Sequence, residues 1–137
     1  MKGEDYINYA SRLVATPPGS HAVCHYRTAI SRAYYGAYHL AAAALGELGK
    51  HIPANATGHR ETIVALQDSG VADAVDAARL IGDLQSARIK ADYHLDKDSY
   101  FTQANARLNI EDAHNVMSSI KRCLAEPAKS QITATLG

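Results

Sequence analysis

The sequence predicts an all-α protein, an up-and-down bundle of four to five helices. Alanine, a strong helix former, is abundant, and runs of β-branched residues are absent. Proline and glycine cluster between segments whose apolar residues recur every three or four positions. The chain has 137 residues, the length of one ordinary domain. We therefore expect one helical bundle over residues 1–127 and a loose tail over residues 128–137.

The first two predicted helices are separated by a proline pair. The first helix runs from about Tyr6 to Ala15 and ends at Thr16, because the two prolines that follow lack amide donors. Ser20 is the predicted N-cap of a long second helix, from about His21 to Leu48. Gly36, in the middle of that helix, predicts the close approach of another helix. The buried face of the second helix is predicted to contain Tyr26, Ala29, Ala33, Ala37, Leu40, Ala44 and Leu48.

Three further helices complete the predicted bundle. Turn formers between residues 50 and 58 indicate a loop, and a short third helix follows from about His59 to Gln67. The fourth helix runs from about Ala72 to Tyr93, and the last begins near Asn109 and ends at Pro127, after a loop over residues 95–105. One side of the fourth helix is predicted to carry Val75, Ala78, Ile81, Leu84 and, extending this apolar stripe, Arg88.

Composition excludes several classes of protein. The 14 basic and 14 acidic residues balance, so no broad basic field favours sequence-independent binding of nucleic acid, and phosphate binding must be local. No signal sequence or membrane-spanning run is apparent, which predicts a cytoplasmic protein with no membrane partner. The two cysteines form no CxxC pair and are expected to be reduced thiols.

Arg88 and His94 form the first candidate site. A guanidinium binds phosphate through two parallel hydrogen bonds, and an imidazole exchanges a proton near neutral pH. Residues six positions apart are separated by about 600° on a continuous helix, so the helix must end or bend, or a symmetric dimer must supply the partner. Such a cleft suits metal-independent cleavage of RNA and not of DNA, which lacks the 2′-hydroxyl. Alternatively, Asp92 forms an ordinary helical ion pair with the guanidinium of Arg88, which is then engaged within the chain.

A tyrosine-rich face on the second helix forms the second candidate site. Its aromatic members are Tyr34, Tyr35, Tyr38 and His39. These rings suit either a nucleotide pocket, in which bases stack on them, or packing in the core or at an interface. Arg27 and Arg32 flank this face, where they suit either a phosphate or a surface ion pair.

Two possible metal motifs are each incomplete, so we predict no bound metal and no cofactor. His21 and His25 lie one helical turn apart, but the glutamate of a HExxH zinc site is missing between them. Glu111 and His114 match one ExxH element, whereas a di-iron bundle needs two.

Two motifs resemble the HEPN superfamily, and most closely its small prokaryotic branch. The first runs from Ser31 to Leu45 on the long helix, and the second is Arg88-x-x-Ala-Asp-Tyr93. The resemblance covers the second helix through the last. It implies a homodimeric helical bundle, often encoded beside a minimal nucleotidyltransferase, that acts in toxin–antitoxin or phage-defence systems.

The resemblance also implies roles for individual residues. Active members carry Arg-x(4–6)-His, which Arg88 and His94 match. A toxin-type endoribonuclease is then implied, in which Arg88 binds the RNA phosphate, His94 transfers a proton and Asp92 or Tyr93 orients one of them. A nucleotidyltransferase antitoxin is a possible partner. The alternative is a non-catalytic helical module that binds a nucleotide, a nucleotidyltransferase partner or a second copy of itself through the tyrosine-rich face. Ile89 favours this alternative, because active members commonly carry a polar residue at its position.

Overall fold

A computed structural model describes residues 1–137 as an all-helical chain, which confirms the predicted fold class. The helices are α1 (Gly3–Ala15), α2 (Ala22–Glu47), α3 (Ala56–Asp68), α4 (Ala72–Tyr93), α5 (Gln103–Cys123) and α6 (Ala128–Thr135), with a short 3-10 helix at Asp98–Tyr100. None of these helices combines the length and the hydropathy needed to cross a bilayer.

Helix α2 lies at the centre of the bundle and packs against α1, α3, α4 and α5. Its predicted face is buried except for Leu40, which is only partly so. The core around it includes Ile81 and Leu84 of α4 and Ile120 of α5. Because α2 carries many alanines on this face, several helices approach it closely and bring side chains from distant segments together.

The close approach that Gly36 predicts is found between α1 and α2. A Cβ atom at Gly36 would lie 2.6 Å from Cγ1 of Ile7 and 2.8 Å from the carbonyl oxygen of Gly3. A Cβ atom at Gly3 would lie 2.5 Å from the carbonyl oxygen of Gly36. The two helices therefore meet at a pair of glycines, with no room for a side chain on either.

Several predicted helix starts were wrong because capping residues set them elsewhere. Asn55 accepts a hydrogen bond from the amide of Thr57 at 3.0 Å, so α3 begins at Ala56. Thr102 accepts from the amide of Asn105 at 3.2 Å, so α5 begins six residues before Asn109. The predicted N-cap Ser20 was also wrong, because α2 begins at Ala22 and its N-cap position is therefore His21. The His21 side chain makes no capping hydrogen bond.

The expected loose tail forms helix α6 instead. Its single buried residue, Ile132, has no exposed surface and belongs to the core. One large apolar residue in an eight-residue segment leaves little periodicity to detect, which is why the sequence did not predict this helix. Helix α5 ends at Cys123, before Pro127, and Val75 of α4 is 39% exposed although its spacing predicts burial.

Candidate functional site

Arg88 lies near the C-terminal end of α4 with its guanidinium among tyrosine rings. Its Cζ atom is 5.4 Å from the ring centroids of both Tyr34 and Tyr35 on α2, and 5.9 Å from that of Tyr93. Only 12% of the side chain is exposed. Packing of α4 on α2 thus places a cation over the negative faces of the rings, a favourable arrangement.

The guanidinium of Arg88 makes no hydrogen bond within the chain. Its nearest carboxylate is Oδ2 of Asp92, 3.7 Å from Nη1, which is the predicted helical ion pair but is too long for a hydrogen bond. The Ser31 hydroxyl donates to the same Oδ2 atom at 3.3 Å. The Nε atom of Arg88 is buried and has no partner. An unsatisfied buried donor of this kind costs about 1–3 kcal/mol. The Nη atoms also lack hydrogen-bond partners but are not among the buried atoms, so an oxyanion bound here would satisfy their donors.

His94 is the residue at which α4 ends. Its backbone, at φ −104° and ψ 79°, leaves the helical conformation, so Arg88 and His94 do not share a continuous helix. The His94 amide still donates to the carbonyl of Lys90 at 3.0 Å, and its side chain is exposed. The imidazole makes no hydrogen bond with Arg88 in the single chain.

Arg27, from α2, fixes the turn that carries His94. Its Nη atoms donate at 2.9–3.0 Å to the carbonyls of Lys90, Ala91 and His94 and to Oδ1 of Asp98. Its guanidinium also lies 4.0 Å from the ring centroid of Phe101. Arg27 is buried, and its Nη donors are bonded to protein acceptors. Neither possibility predicted for it, a phosphate contact or a surface ion pair, is therefore its role. It caps the C-terminal end of α4.

Two tyrosines of the predicted nucleotide pocket lie in the core. Tyr34 is fully buried and Tyr38 is 6% exposed, so neither ring presents a free face to a base. The Tyr34 hydroxyl shares a hydrogen bond with Nδ1 of His59, from α3, and the His59 ring stacks on Tyr38 at 4.2 Å. Burial raises the pKa of both tyrosines. Burial, followed by the charges of Arg88 and His39, lowers the pKa of His59.

His59 was not predicted to be a site residue. It belongs to no motif, and it reaches the site only because α3 folds against α2. The adjacent Gly58 carries the one available signal, because a Cβ atom there would lie 2.1 Å from the carbonyl oxygen of Pro53 and 2.7 Å from the Tyr38 hydroxyl. A glycine inside a helix indicates such a close approach but does not name the partner.

Three further predicted binding residues of α2 form an accessible strip together with a tyrosine of α1. The strip is defined here as Arg32, Tyr35, His39 and Tyr6. The Arg32 Cζ atom lies 5.2 Å from the Tyr35 ring and 5.3 Å from that of Tyr6. The exposed His39 stacks between the same two rings, at 6.3 and 5.9 Å. Tyr6, from α1, was not predicted. The strip joins the Arg88 site at Tyr35, and the ring of Tyr93, 69% exposed, also lies near the Arg88 guanidinium.

The two histidines of the partial zinc motif have different environments. Nε2 of His25 is bonded to the carbonyl oxygen of Leu13 at 2.6 Å, and His21 is exposed at the start of α2. No three His, Cys, Asp or Glu side chains lie together in a way that could hold a metal ion.

The comparison with known families agrees with the fold and with the two motifs. A family model of the HEPN domain matches residues 3–123, which comprise α1 to α5. No curated protein and no solved structure matches the chain. The family match covers far more than half of the chain, including the long helix and the Arg88 segment, so the chain belongs to the HEPN domain family.

Proposed function

We propose that this protein is a metal-independent endoribonuclease of the toxin type, with Arg88 and His94 in its active site. One observation carries the proposal: the guanidinium of Arg88 is largely buried and makes no hydrogen bond within the chain. An RNA phosphate would provide the acceptors that Arg88 lacks, in the bidentate geometry that guanidinium favours.

The proposed reaction is cleavage by the neighbouring ribose hydroxyl. The 2′-oxygen attacks phosphorus and loses its proton, the bond from phosphorus to O5′ breaks, and O5′ takes up a proton. The products are a 2′,3′-cyclic phosphate and a 5′-hydroxyl. Arg88 stabilises the negative charge on the phosphate oxygens, and His94 moves one of the two protons. Asp92, 3.7 Å from Nη1, orients Arg88.

A homodimer would complete this site. Because the Arg88 and His94 side chains make no hydrogen bond to each other within one chain, a two-fold axis near the end of α4 would let one copy supply the arginine and the other the histidine. Tyr93 and Leu95, on either side of His94, are 69% and 74% exposed and provide apolar surface for such a contact.

The accessible strip gives a single-stranded RNA a place to lie. The partly buried rings of Tyr6 and Tyr35, with the Arg32 guanidinium near both, favour base stacking together with a phosphate contact. The strip borders an open groove between α2 and the end of α4, whose lining includes Ser31, Arg32 and Asp92. A single strand on this surface would place a phosphate near Arg88.

A second candidate function is a non-catalytic nucleotide-binding or protein-interaction module that partners a nucleotidyltransferase. The lack of a hydrogen bond between the His94 imidazole and Arg88 within the chain favours it, because the accessible strip and Arg88 suffice for binding without cleavage.

The test is incubation of the protein with a labelled single-stranded RNA in excess EDTA. We expect the wild type to cleave, and His94→Ala to cleave at least about 100-fold more slowly, since loss of proton transfer typically costs that much. His51→Ala, which changes an exposed loop histidine, should cleave like the wild type. A substrate with a 2′-deoxyribose at the cleaved position should remain intact.

Two outcomes would contradict parts of this proposal. Equal cleavage by the wild type and His94→Ala would remove His94 from the reaction. A folded wild type that binds the RNA without cleaving it would exclude the nuclease and leave the second candidate.

A further inference from the structure

His59 and Arg88 lie against the same two tyrosines. The His59 ring is 5.7 Å from the ring of Tyr34 and 6.3 Å from that of Tyr35, and the Arg88 Cζ atom is 5.4 Å from each. The two residues come from different helices, α3 and α4, and both pack on α2. After burial, the positive charge of Arg88 is the next cause of the lowered pKa of His59.

The hydrogen bond to Tyr34 fixes which nitrogen of His59 carries the proton. The buried hydroxyl of Tyr34 has no other hydrogen-bond partner in the chain. Burial raises the pKa of Tyr34, so the phenol stays protonated, and its O–H group donates the hydrogen bond to Nδ1 of His59. Because the lowered pKa of His59 favours the neutral imidazole, the ring hydrogen is then on Nε2. His59 thus offers one uncharged N–H donor.

This donor is free and rigidly held. Nε2 of His59 has no hydrogen-bond partner in the chain and is not among the buried atoms. The ring stacks on Tyr38 at 4.2 Å with 13° between the planes, which fixes its orientation. Gly58 allows the first turns of α3 to press against the Tyr38 hydroxyl, so the backbone that carries His59 is also fixed.

We propose that the Nε2–H group of His59 and the guanidinium of Arg88 bind the same phosphate group of an RNA. The proposal rests on the proposed function in one respect, that Arg88 binds an RNA phosphate. His59 then acts as a neutral hydrogen-bond donor, while Arg88 provides the charge. A tetrahedral phosphate presents several oxygens and can accept from both residues at once.

The test is the variant His59→Asn, compared with the wild type by calorimetric titration with uridine 3′-monophosphate. An asparagine side chain keeps an acceptor for Tyr34 near the position of Nδ1 but has no atom at the position of Nε2. We expect binding about tenfold weaker, the effect of losing one hydrogen bond to a charged group. His51→Asn, the same change at an exposed loop residue, should bind like the wild type. Uridine, which lacks the phosphate, should bind all three proteins alike and weakly.

The outcomes separate this proposal from the proposed function. If His59→Asn binds like the wild type while Arg88→Gln loses binding, the role of His59 is overturned and the Arg88 phosphate site remains. If the wild type binds the nucleotide no better than uridine, both are overturned.

A second measurement uses the wild type alone and so does not depend on whether a variant folds. Side-chain nitrogen NMR of the wild type should show His59 with its proton on Nε2, and this signal should shift on addition of uridine 3′-monophosphate. A proton on Nδ1, or a signal that does not shift when the site is saturated, would overturn the proposal.

Discussion

Two buried arginines of this chain differ in what their donors contact. Arg27 has four hydrogen bonds to protein acceptors, whereas Arg88 has only aromatic rings and a carboxylate 3.7 Å away. A buried cation is costly unless hydrogen bonds satisfy it, so the first residue is accounted for by the fold alone. The guanidinium of Arg88 has no such acceptors within the chain, and three aromatic rings and a long ion pair surround it instead. Free donors, rather than burial, distinguish the two roles.

The lowered pKa of His59 predicts a pH dependence of stability. The groups that face this ring are Arg88, His39, Tyr34, Tyr35 and Tyr38. Because the folded-state pKa is below the unfolded value of about 6.5, protonation favours the unfolded chain. The stabilisation is complete above about pH 6.5 and is lost as the pH falls toward the folded-state pKa.

Urea unfolding at about pH 7.5 and about pH 5 measures this effect. The wild type should lose more stability on acidification than His59→Asn, which has no titrating ring at this position but keeps the other histidines. Equal losses in the two proteins would show that His59 has an ordinary pKa in the folded state.

At the scale of elements, α2 organises the bundle through its small residues. Its alanines and Gly36 allow α1, α4 and α5 to pack closely, and its tyrosines extend to α3 and α4. Gly36 and Gly46 lie on the same helix but in different surroundings. The first is in contact with α1, whereas a Cβ atom at the second would meet nothing within 4 Å.

These two glycines provide a matched test of helix packing. Gly36→Ala should destabilise the fold by about 1–3 kcal/mol, because the new methyl group overlaps Ile7 and the Gly3 carbonyl. Gly46→Ala should be neutral or stabilise the fold by up to about 1 kcal/mol, through helix propensity alone. Free energies of unfolding in urea measure both. Equal effects would mean that the α1 and α2 backbones are not in contact.

At the scale of the whole molecule, the fold was more predictable than the site. The bounds of α4 matched the prediction, Ala72 to Tyr93, because regular apolar spacing marks a helix that packs on one side. The four-residue spacing of Arg88 and Asp92 also predicted their ion pair, which the structure contains. The role of Arg27 and the presence of His59 depend on contacts between residues far apart in sequence, which periodicity does not encode.

The contacts of Arg27 predict a large effect of its removal on stability. Arg27→Met keeps most of the buried volume but leaves the carbonyls at the end of α4 without their donors. We expect a loss of about 2–4 kcal/mol in the free energy of unfolding. Arg79→Met is the control, because its ion pair with Asp83 is 3.8 Å long and 64% exposed on both sides, and its loss should cost at most about 0.5 kcal/mol. Similar values for the two variants would contradict the capping role.

The hydrogen bonds of Arg27 also have a consequence for the order in which the protein forms during synthesis. Arg27 leaves the ribosome long before its acceptors, which lie 63 to 71 residues later in the chain. Until His94 has emerged, this guanidinium lacks most of its acceptors and the end of α4 lacks its complete cap. The nascent protein can therefore assemble α1, α2 and α3 while the turn that carries His94 is still unformed, so this turn is completed late in translation.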